Sequence, residues 1–180
     1  IIEESACLRA AMLNEVKLTI PIPALMRSRV NFLPWRTTAA FGLPFLIYVF
    51  TAAPTIYNLD SAELTTAAAT GGLVRATGYP LYLLLGYLWS WLPVGDVGYR
   101  LNLFSAFNSA LTIALAARIL RGWGIGPWAM FGALGLLAFA PFFWALSLIA
   151  EVYTLHTALM AGIILLMLYW ADDPTLRRLA

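Results

Sequence analysis

The sequence predicts an all-α integral membrane protein, and three observations lead to this fold class. Hydrophobic residues make up 62% of the 180 residues and charged residues only 11%, whereas about 25% of a soluble domain is charged. The mean hydropathy is +0.81. Uncharged runs of 17 to 29 residues recur between isolated charges, and about 20 apolar residues suffice for a helix to cross the hydrocarbon core.

The uncharged runs predict about four transmembrane helices. In chain order they lie near 37–57, at 101–117, within 122–150 and at 152–171. Pro141 interrupts the third run, and arginines on both sides of the second can extend toward the interface and lengthen it. We therefore expect a transmembrane domain over 37–171, preceded by a cytoplasmic segment over 1–36.

The stretch 78–93 is apolar but short for a span. Its apolar part, 81–92, has 12 residues between two prolines, a length typical of a re-entrant or interfacial segment. If 78–93 crossed the membrane, Arg118 and Arg121 would fall on the outer side. If it lies in the interface, one set of arginines faces the cytoplasm together: Arg27, Arg29, Arg36, Arg118, Arg121, Arg177 and Arg178. The positive-inside rule favours the interfacial interpretation.

This topology predicts an outer loop over 58–100 that contains two juxtamembrane surface helices. The first follows Asp60 and ends at the Gly71-Gly72 pair, which breaks a helix at its C-terminus. The second is the stretch 80–92, which is rich in Tyr, Trp and Leu, and aromatic residues with a polar end favour the headgroup level.

The two ends of the chain differ from the rest. Residues 1–36 mix charges with short apolar runs, which is typical of neither a signal peptide nor a spanning helix. We expect part of this segment not to be native, with Met12 or Met26 as the biological start. We expect 172–180 to be a cytoplasmic loop cut short within a longer protein.

Charge and cysteine content exclude several function classes. A net charge of +2 is too small to indicate a nucleic-acid partner. The single cysteine, Cys7, excludes an internal disulfide, and no Cys/His cluster has zinc-binding spacing. Because His156 is the only histidine, a metal site would have to be built from carboxylates. The sequence requires no cofactor and leaves a divalent metal open.

Asp60 and Glu63 are unusual, because only 9 of 180 residues are acidic and these two follow the first predicted span. One interpretation is a capping box, in which both carboxylates bind backbone N–H groups of a first helical turn. The other is a general base at the membrane surface, where low dielectric raises a carboxyl pKa toward a useful range. The two are compatible, because capping can fix one acid and leave the other reactive.

Other ionisable residues share the predicted outer side. Arg75 and Arg100 bracket the second surface helix, where they either reach lipid headgroups or bind a phosphate, which suits a guanidinium fork. Glu151 and His156 lie near the outer end of the fourth span, and ionisable groups there usually have a role. The structural alternative for Glu151 is an ion pair with Arg100. Together these residues suit a lipid-phosphate-linked substrate.

Four short motifs carry a resemblance. They are Asp60-Ser61-Ala62-Glu63, Gly78-Tyr79-Pro80-Leu81-Tyr82, Arg100-Leu101-Asn102 and Ala150-Glu151-Val152-Tyr153. They resemble a membrane family grouped with the protein O-mannosyltransferases, over residues 44–171. That family is similar to the GT-C glycosyltransferases, multi-span enzymes that take sugars from polyprenyl-phosphate donors. Their first outer loop carries an acidic catalytic residue and two juxtamembrane helices, so the resemblance implies the N-terminal part of a GT-C-like enzyme.

The resemblance implies roles for individual residues. Asp60 would be the catalytic base, with Glu63 beside it in contact with acceptor or metal. Substrate contacts are implied for a further set of residues: Arg75, Tyr79, Arg100, Glu151, Tyr153 and His156. The family usually has His-Pro where this chain has Arg75-Ala76, so any binding role of that histidine is either lost here or carried by arginine.

We therefore expect an inverting transferase that moves a mannose-like sugar from a polyprenyl-phosphate donor to a hydroxyl acceptor. The acceptor would be Ser or Thr of an exported protein, or a glycan. We expect the enzyme in a bacterial inner (plasma) membrane, with its N-terminus in the cytoplasm and its catalytic loop outside. Two alternatives stay open: a transporter or flippase for a lipid-linked or anionic solute, and a non-catalytic membrane subunit.

Overall fold

The computed structural model of the chain describes residues 34–57, 60–74 and 78–172, which form seven α-helices. The helices are α1 (Pro34–Thr51), α2 (Asp60–Thr70), α3 (Pro80–Ser90), α4 (Val97–Gly122), α5 (Pro127–Ala138), α6 (Pro141–Ser147) and α7 (Val152–Asp172). The described residues contain no β-strand, so the all-α class is confirmed for them. Most of the predicted segment 1–36, and the loop 172–180 beyond its first residue, lie outside the described residues.

Two helices are long and apolar enough to cross a membrane, Val97–Gly122 and Val152–Ala171. α5 and α6 provide a third span if the pair, which bends by 64° at its break, counts as one. α1 is not among them, and its 18 residues include Arg36, three threonines and Pro44. The described residues therefore give two or three candidate spans, and the number of four stays a prediction.

α1 ends earlier than the predicted first span near 37–57. The helix stops at Thr51, and residues 52–57 are not helical. Pro54 explains the difference, because proline lacks the N–H that continues a helix and disfavours helical geometry in the residue before it. A count of uncharged residues overlooks this effect, since proline carries no charge.

α4 lies at the centre of the structure and packs against each of the other six helices, most extensively against α7 and α1. Small residues occupy its buried positions: Ser105, Ala106, Ser109, Ala110, Ala114 and Ala117. Small side chains let neighbouring helices approach closely, which is the common basis of helix packing in membranes. α4 is therefore the element against which the other helices are positioned.

The break between α5 and α6 is held by buried polar contacts. α6 begins at Pro141, the residue that interrupts the third predicted run. The hydroxyl of Tyr48 in α1 donates to the carbonyl oxygen of Ala138 at 2.8 Å, which satisfies a carbonyl that a helix end leaves without an intrahelical partner. Ser147 Oγ and Ser109 Oγ lie 2.8 Å apart and join α6 to α4.

α2 and α3 are the two short helices predicted in the first loop. Each has 11 residues, about 16 Å at 1.5 Å per residue, which is about half the thickness of the hydrocarbon core. α2 ends before Gly71, whose φ of 67° is the left-handed conformation that ends many helices. The two helices pack on each other and on α4. Their shared core with α4 and α7 includes Leu64, Ala68, Tyr82, Leu101, Phe104 and Leu155.

Candidate active site

The segment that links α1 to α2 is attached to the start of α4 by polar contacts. Asn102 Nδ2 donates to the carbonyl oxygens of Ala53 and Thr55, at 2.8 and 2.9 Å. The Thr55 hydroxyl donates to the Asp96 carboxylate, which also caps α4 by accepting from the Tyr99 N–H at 2.7 Å. These two hydrogen bonds lower the pKa of Asp96. The chain therefore enters α2 from a fixed position.

Asp60 and Glu63 both lie in the first turn of α2. The positive end of the helix dipole favours carboxylates there. Asp60 is exposed and Glu63 is half-buried. A capping box requires Asp60 to precede the first helical residue, whereas α2 already includes it. The preceding residues, 58–59, lie outside the described residues, so the capping role stays a prediction.

Glu151 lies between α6 and α7 and is only 5% exposed. Its backbone N–H donates to Ser105 Oγ of α4 at 3.1 Å, which fixes the start of α7. Burial raises the pKa of Glu151, the negative charge of Asp60 raises it further, and the backbone amide of Val152 acts in the opposite direction. Two acids 91 positions apart in the chain therefore interact across the helix bundle.

Three buried hydroxyl groups of α2 and α3 make no hydrogen bond within the described residues. Tyr82 of α3 is 2% exposed, and its hydroxyl makes no hydrogen bond within the described residues. Burial raises its pKa, as does the charge of Glu151, whereas the nearby Ser105 hydroxyl, which lies outside hydrogen-bonding geometry, lowers it. Ser61 and Thr65 lie on the buried face of α2 with hydroxyls that also make no hydrogen bond there. Because buried polar groups are normally paired, these hydroxyls indicate polar space between α2, α3 and α4.

Arg100 is occupied by the loop that follows α3. Its guanidinium donates to the carbonyl oxygens of Ser90, Val94 and Gly95, at 2.7, 3.0 and 3.0 Å. These bonds use three of the five N–H donors of an arginine side chain. Within the described residues Arg100 forms no ion pair with Glu151, so the predicted structural alternative for Glu151 is wrong.

The remaining predicted residues are not gathered around Glu151. Tyr153 is 57% exposed and His156 is also exposed, three residues apart on the outer face of α7. Tyr79 is 41% exposed, and its φ of 38° is the only positive φ among the described residues other than glycine. A non-glycine residue in this conformation is uncommon and strained. Arg75 lies outside the described residues.

The structure describes no group of three or more His, Cys, Asp or Glu side chains that could hold a metal ion. The side chains that the structure describes lie within 36–57, 60–74 and 78–171. A divalent metal therefore stays a prediction, and the chemistry considered for Asp60 and Glu151 is proton transfer.

The sequence indicated no role for Tyr82, Ser61, Thr65 or Ser105, although Ser61 and Tyr82 belong to two of the motifs that carry the resemblance. Two patterns could have revealed them. In α3 the buried positions Tyr82, Gly86 and Ser90 recur every four residues, which defines the inward face. In α4 the buried polar positions form a stripe along one side: Asn102, Ser105, Ser109 and Thr112. Polar residues inside a span usually face other protein.

We expect Glu151→Gln to remove a pH dependence of stability. Because the pKa of Glu151 is raised in the folded protein, the folded state binds this proton more tightly than the unfolded state. The stabilisation is complete at acidic pH and is lost as the pH rises through the raised pKa. The midpoint of thermal unfolding, followed from about pH 4 to 9, should fall more steeply for the wild type than for Glu151→Gln. Parallel curves would contradict the interaction.

Comparison with known proteins identifies relatives of this chain. A family model described as "Protein O-mannosyl-transferase TMEM260 N-terminal domain" matches residues 60–178. Protein O-mannosyl-transferase TMEM260 of Mus musculus is 31% identical over 153 residues, which are 79% of this chain and 21% of the mouse protein. Protein O-mannosyl-transferase tmem260 of Dictyostelium discoideum is 22% identical over 128 residues, 69% of this chain and 16% of that protein. No solved structure matches.

The matched region begins at Asp60 and contains the acid pair together with α2 to α7. The chain spans about a fifth of the length of the curated relatives that it matches. The family model covers well over half of the chain. This chain therefore belongs to the protein O-mannosyl-transferase TMEM260 family and carries its N-terminal domain.

Proposed function

We propose that this chain is the acceptor-activating part of a glycosyltransferase that moves a mannose-like sugar to a protein hydroxyl. Both curated relatives are named protein O-mannosyl-transferase, which supports the reaction class. The observation that carries the proposal is the acid pair: Asp60 is exposed at the first turn of α2, and Glu151 is buried but near enough for the charge of Asp60 to raise its pKa.

Asp60 acts as the general base in this proposal. Its carboxylate takes the proton of a Ser or Thr hydroxyl as the oxygen attacks the anomeric carbon of the sugar. The bond from that carbon to the phosphate oxygen breaks, and polyprenyl phosphate leaves with the electron pair. This single displacement inverts the anomeric carbon and needs one base and charge stabilisation at the leaving phosphate.

Glu151 has a different role because its environment differs. Two neighbouring carboxyl groups with different burial tend to separate into an ionised and a protonated member. The raised pKa of Glu151 favours its neutral form, which can donate a hydrogen bond to a sugar hydroxyl. The unpaired hydroxyls of Ser61, Thr65 and Tyr82 supply further hydrogen-bonding groups for a ligand as rich in hydroxyls as a sugar. Glu63 contacts the acceptor from the same turn of α2 as Asp60.

The donor is a polyprenyl-phosphate-linked sugar in this proposal. Tyr153 and His156 lie on the exposed face of α7, where a lipid-linked group arrives from the bilayer. Arg100 adds positive charge next to the loop whose backbone carbonyl groups it binds. Tyr79 and Arg75 contact the donor from the loop between α2 and α3. Guanidinium groups are well shaped for phosphate.

The active site faces the outer side of the membrane in this proposal. The positive-inside rule supports this orientation, because it places Arg36, Arg118 and Arg121 toward the cytoplasm. Asp60 and Glu151 then lie at the opposite end of α4. The two relatives described above come from Mus musculus and Dictyostelium discoideum, so they give no support to a bacterial plasma membrane.

A reconstituted transfer assay tests the proposed function. The intact protein is placed in liposomes with radiolabelled polyprenyl-phosphate mannose and a peptide that contains Ser and Thr. We expect labelled peptide, no label on a matched peptide with Ala at those positions, and no transfer from a nucleotide-linked mannose. The transporter alternative would be favoured if neither donor supports transfer and the lipid-linked sugar instead moves across the bilayer.

A further inference from the structure

An apolar groove lies between α1 and α5, far from the acid pair. Its volume is about 430 Å³, and α4 forms its floor through Ile113 and Ala117. α1 and α5 both pack against α4 but make few contacts with each other. Small residues on the facing walls leave the gap open, among them Ala39 and Gly135. Clefts of this size with a mostly apolar lining often bind a ligand.

One end of the groove is positively charged. Arg36 of α1 and Arg121 of α4 are part of its lining. Arg118 lies close enough to repel Arg121, as does Arg36. Four acidic residues whose side chains the structure describes, a set that leaves out Asp172 at the end of α7, lie toward the other end of α4: Asp60, Glu63, Asp96 and Glu151. The groove therefore combines an apolar channel with a cationic mouth, which complements a molecule with an apolar chain and an anionic head.

The length of the groove corresponds to one leaflet of a bilayer. From Arg36 to Ile47, the lining residues of α1 extend over 11 helical steps, about 16 Å, whereas the hydrocarbon core is about 30 Å thick. The hydrogen bond from Tyr48 to Ala138 joins α1 to α5 beyond Ile47 and closes that end. An occupant would enter from the side of the arginines and reach the middle of the membrane.

We propose that this groove binds an anionic phospholipid of the leaflet on the arginine side. The phosphate lies between Arg36 and Arg121, and one acyl chain runs along Ile113 and Ala117. This site is separate from the acid pair, since Ser105 and Arg121 are 16 residues apart on α4, about 24 Å. A zwitterionic lipid has the same chains but no net charge for the two guanidinium groups to attract.

Lipid retention by the intact protein tests the proposal. The protein is equilibrated in micelles with equal amounts of phosphatidylglycerol and phosphatidylcholine, and the lipids that stay bound are counted by native mass spectrometry. We expect the wild type to retain phosphatidylglycerol preferentially. The double variant Arg36→Gln/Arg121→Gln should weaken this retention by about 30-fold, since each basic residue adds to the attraction of an anionic lipid surface.

Two glycines of α5 provide a matched pair. Gly135 lines the groove and Gly132 does not, and a Cβ at either position meets nothing within 4 Å. Gly135→Leu therefore fills the groove without a backbone clash, whereas Gly132→Leu adds the same side chain outside it. We expect Gly135→Leu to lose retained phosphatidylglycerol about 10-fold and Gly132→Leu to retain it like the wild type.

Several outcomes would overturn the proposal. Equal retention of both lipids would remove the role of the arginines, and retention by Gly135→Leu at the wild-type level would remove the role of the groove. Displacement of phosphatidylglycerol by inorganic phosphate alone would show an anion site without a chain. Displacement by polyprenyl phosphate at much lower concentration would make that molecule the occupant. A lower unfolding temperature of Gly135→Leu with unchanged retention would indicate that another protein segment fills the groove.

Discussion

Asp60→Asn is expected to lower sugar transfer to a Ser/Thr peptide by about 1,000-fold, within the range attributed to a general base. Asparagine keeps the size and the hydrogen-bonding oxygen of the side chain but cannot take the proton of the acceptor. Because Asp60 is exposed on the first turn of α2, the substitution should leave the unfolding temperature close to that of the wild type. Initial rates of transfer from radiolabelled polyprenyl-phosphate mannose provide the measurement.

Asp96→Asn is the matched control for this prediction. It makes the same chemical change at another exposed acid, the N-cap of α4, and asparagine caps a helix about as well as aspartate. We expect Asp96→Asn to keep most of the transfer rate, because the asparagine oxygen can still accept from the Tyr99 N–H while its NH2 group donates to the Thr55 hydroxyl, which keeps the segment before α2 attached. A general base also predicts that the loss in Asp60→Asn falls on kcat more than on the KM for the peptide. Near-normal transfer by Asp60→Asn would assign the proton transfer to another group.

A second property of Asp60→Asn connects the two acids. The charge of Asp60 helps to raise the pKa of Glu151, so its removal should move the apparent pKa of Glu151 back toward the ordinary range. Wild-type stability falls between the ordinary and the raised pKa of Glu151, so in Asp60→Asn this fall should be smaller and should end at a lower pH. An unchanged pH profile of unfolding would mean that the carboxylates act independently.

The starts and ends of the helices can largely be predicted from the sequence because they depend on the backbone geometry of a few neighbouring residues. Gly71 ends α2, Pro80 begins α3, and Pro141 begins α6 at the interruption of the third apolar run. Each of these residues acts on its own turn of backbone, so its effect is readable without knowledge of the fold. The end of α1 follows the same physics at Pro54, where a count of uncharged residues gave the wrong boundary.

The site depends on contacts between distant parts of the chain. Asp60 was predicted from its position after the first apolar run, but its interaction with Glu151 requires α2 and α7 to meet across α4. The positions of the two acids in the sequence do not predict that they come close in space. Arg100 shows the same limit, because its partners are backbone carbonyls. Every residue has a carbonyl, so the sequence does not reveal which ones turn toward a guanidinium.

Gly98→Ala is expected to destabilise the protein by about 3 kcal/mol and to lower sugar transfer by about 100-fold. A Cβ at Gly98 would lie 2.3 Å from the backbone nitrogen of Ile56 and 2.8 Å from the carbonyl carbon of Thr55. Both atoms belong to backbone that cannot rotate away like a flexible side chain. The segment before α2 must therefore move off α4, which breaks the hydrogen bonds that Asn102 donates to it.

The effect on transfer is expected because this segment positions Asp60, the residue proposed as the general base. Ile56 is four residues before Asp60, so a shift of its backbone displaces the first turn of α2 from Glu151. Gly132→Ala is the matched control, since a Cβ there meets open space and alanine in a helix interior is about 0.5 to 1 kcal/mol more favourable than glycine. Thermal unfolding and transfer rates of both variants separate the two effects. If Gly98→Ala unfolds and transfers sugar like Gly132→Ala, close contact between α4 and this segment does not position the site.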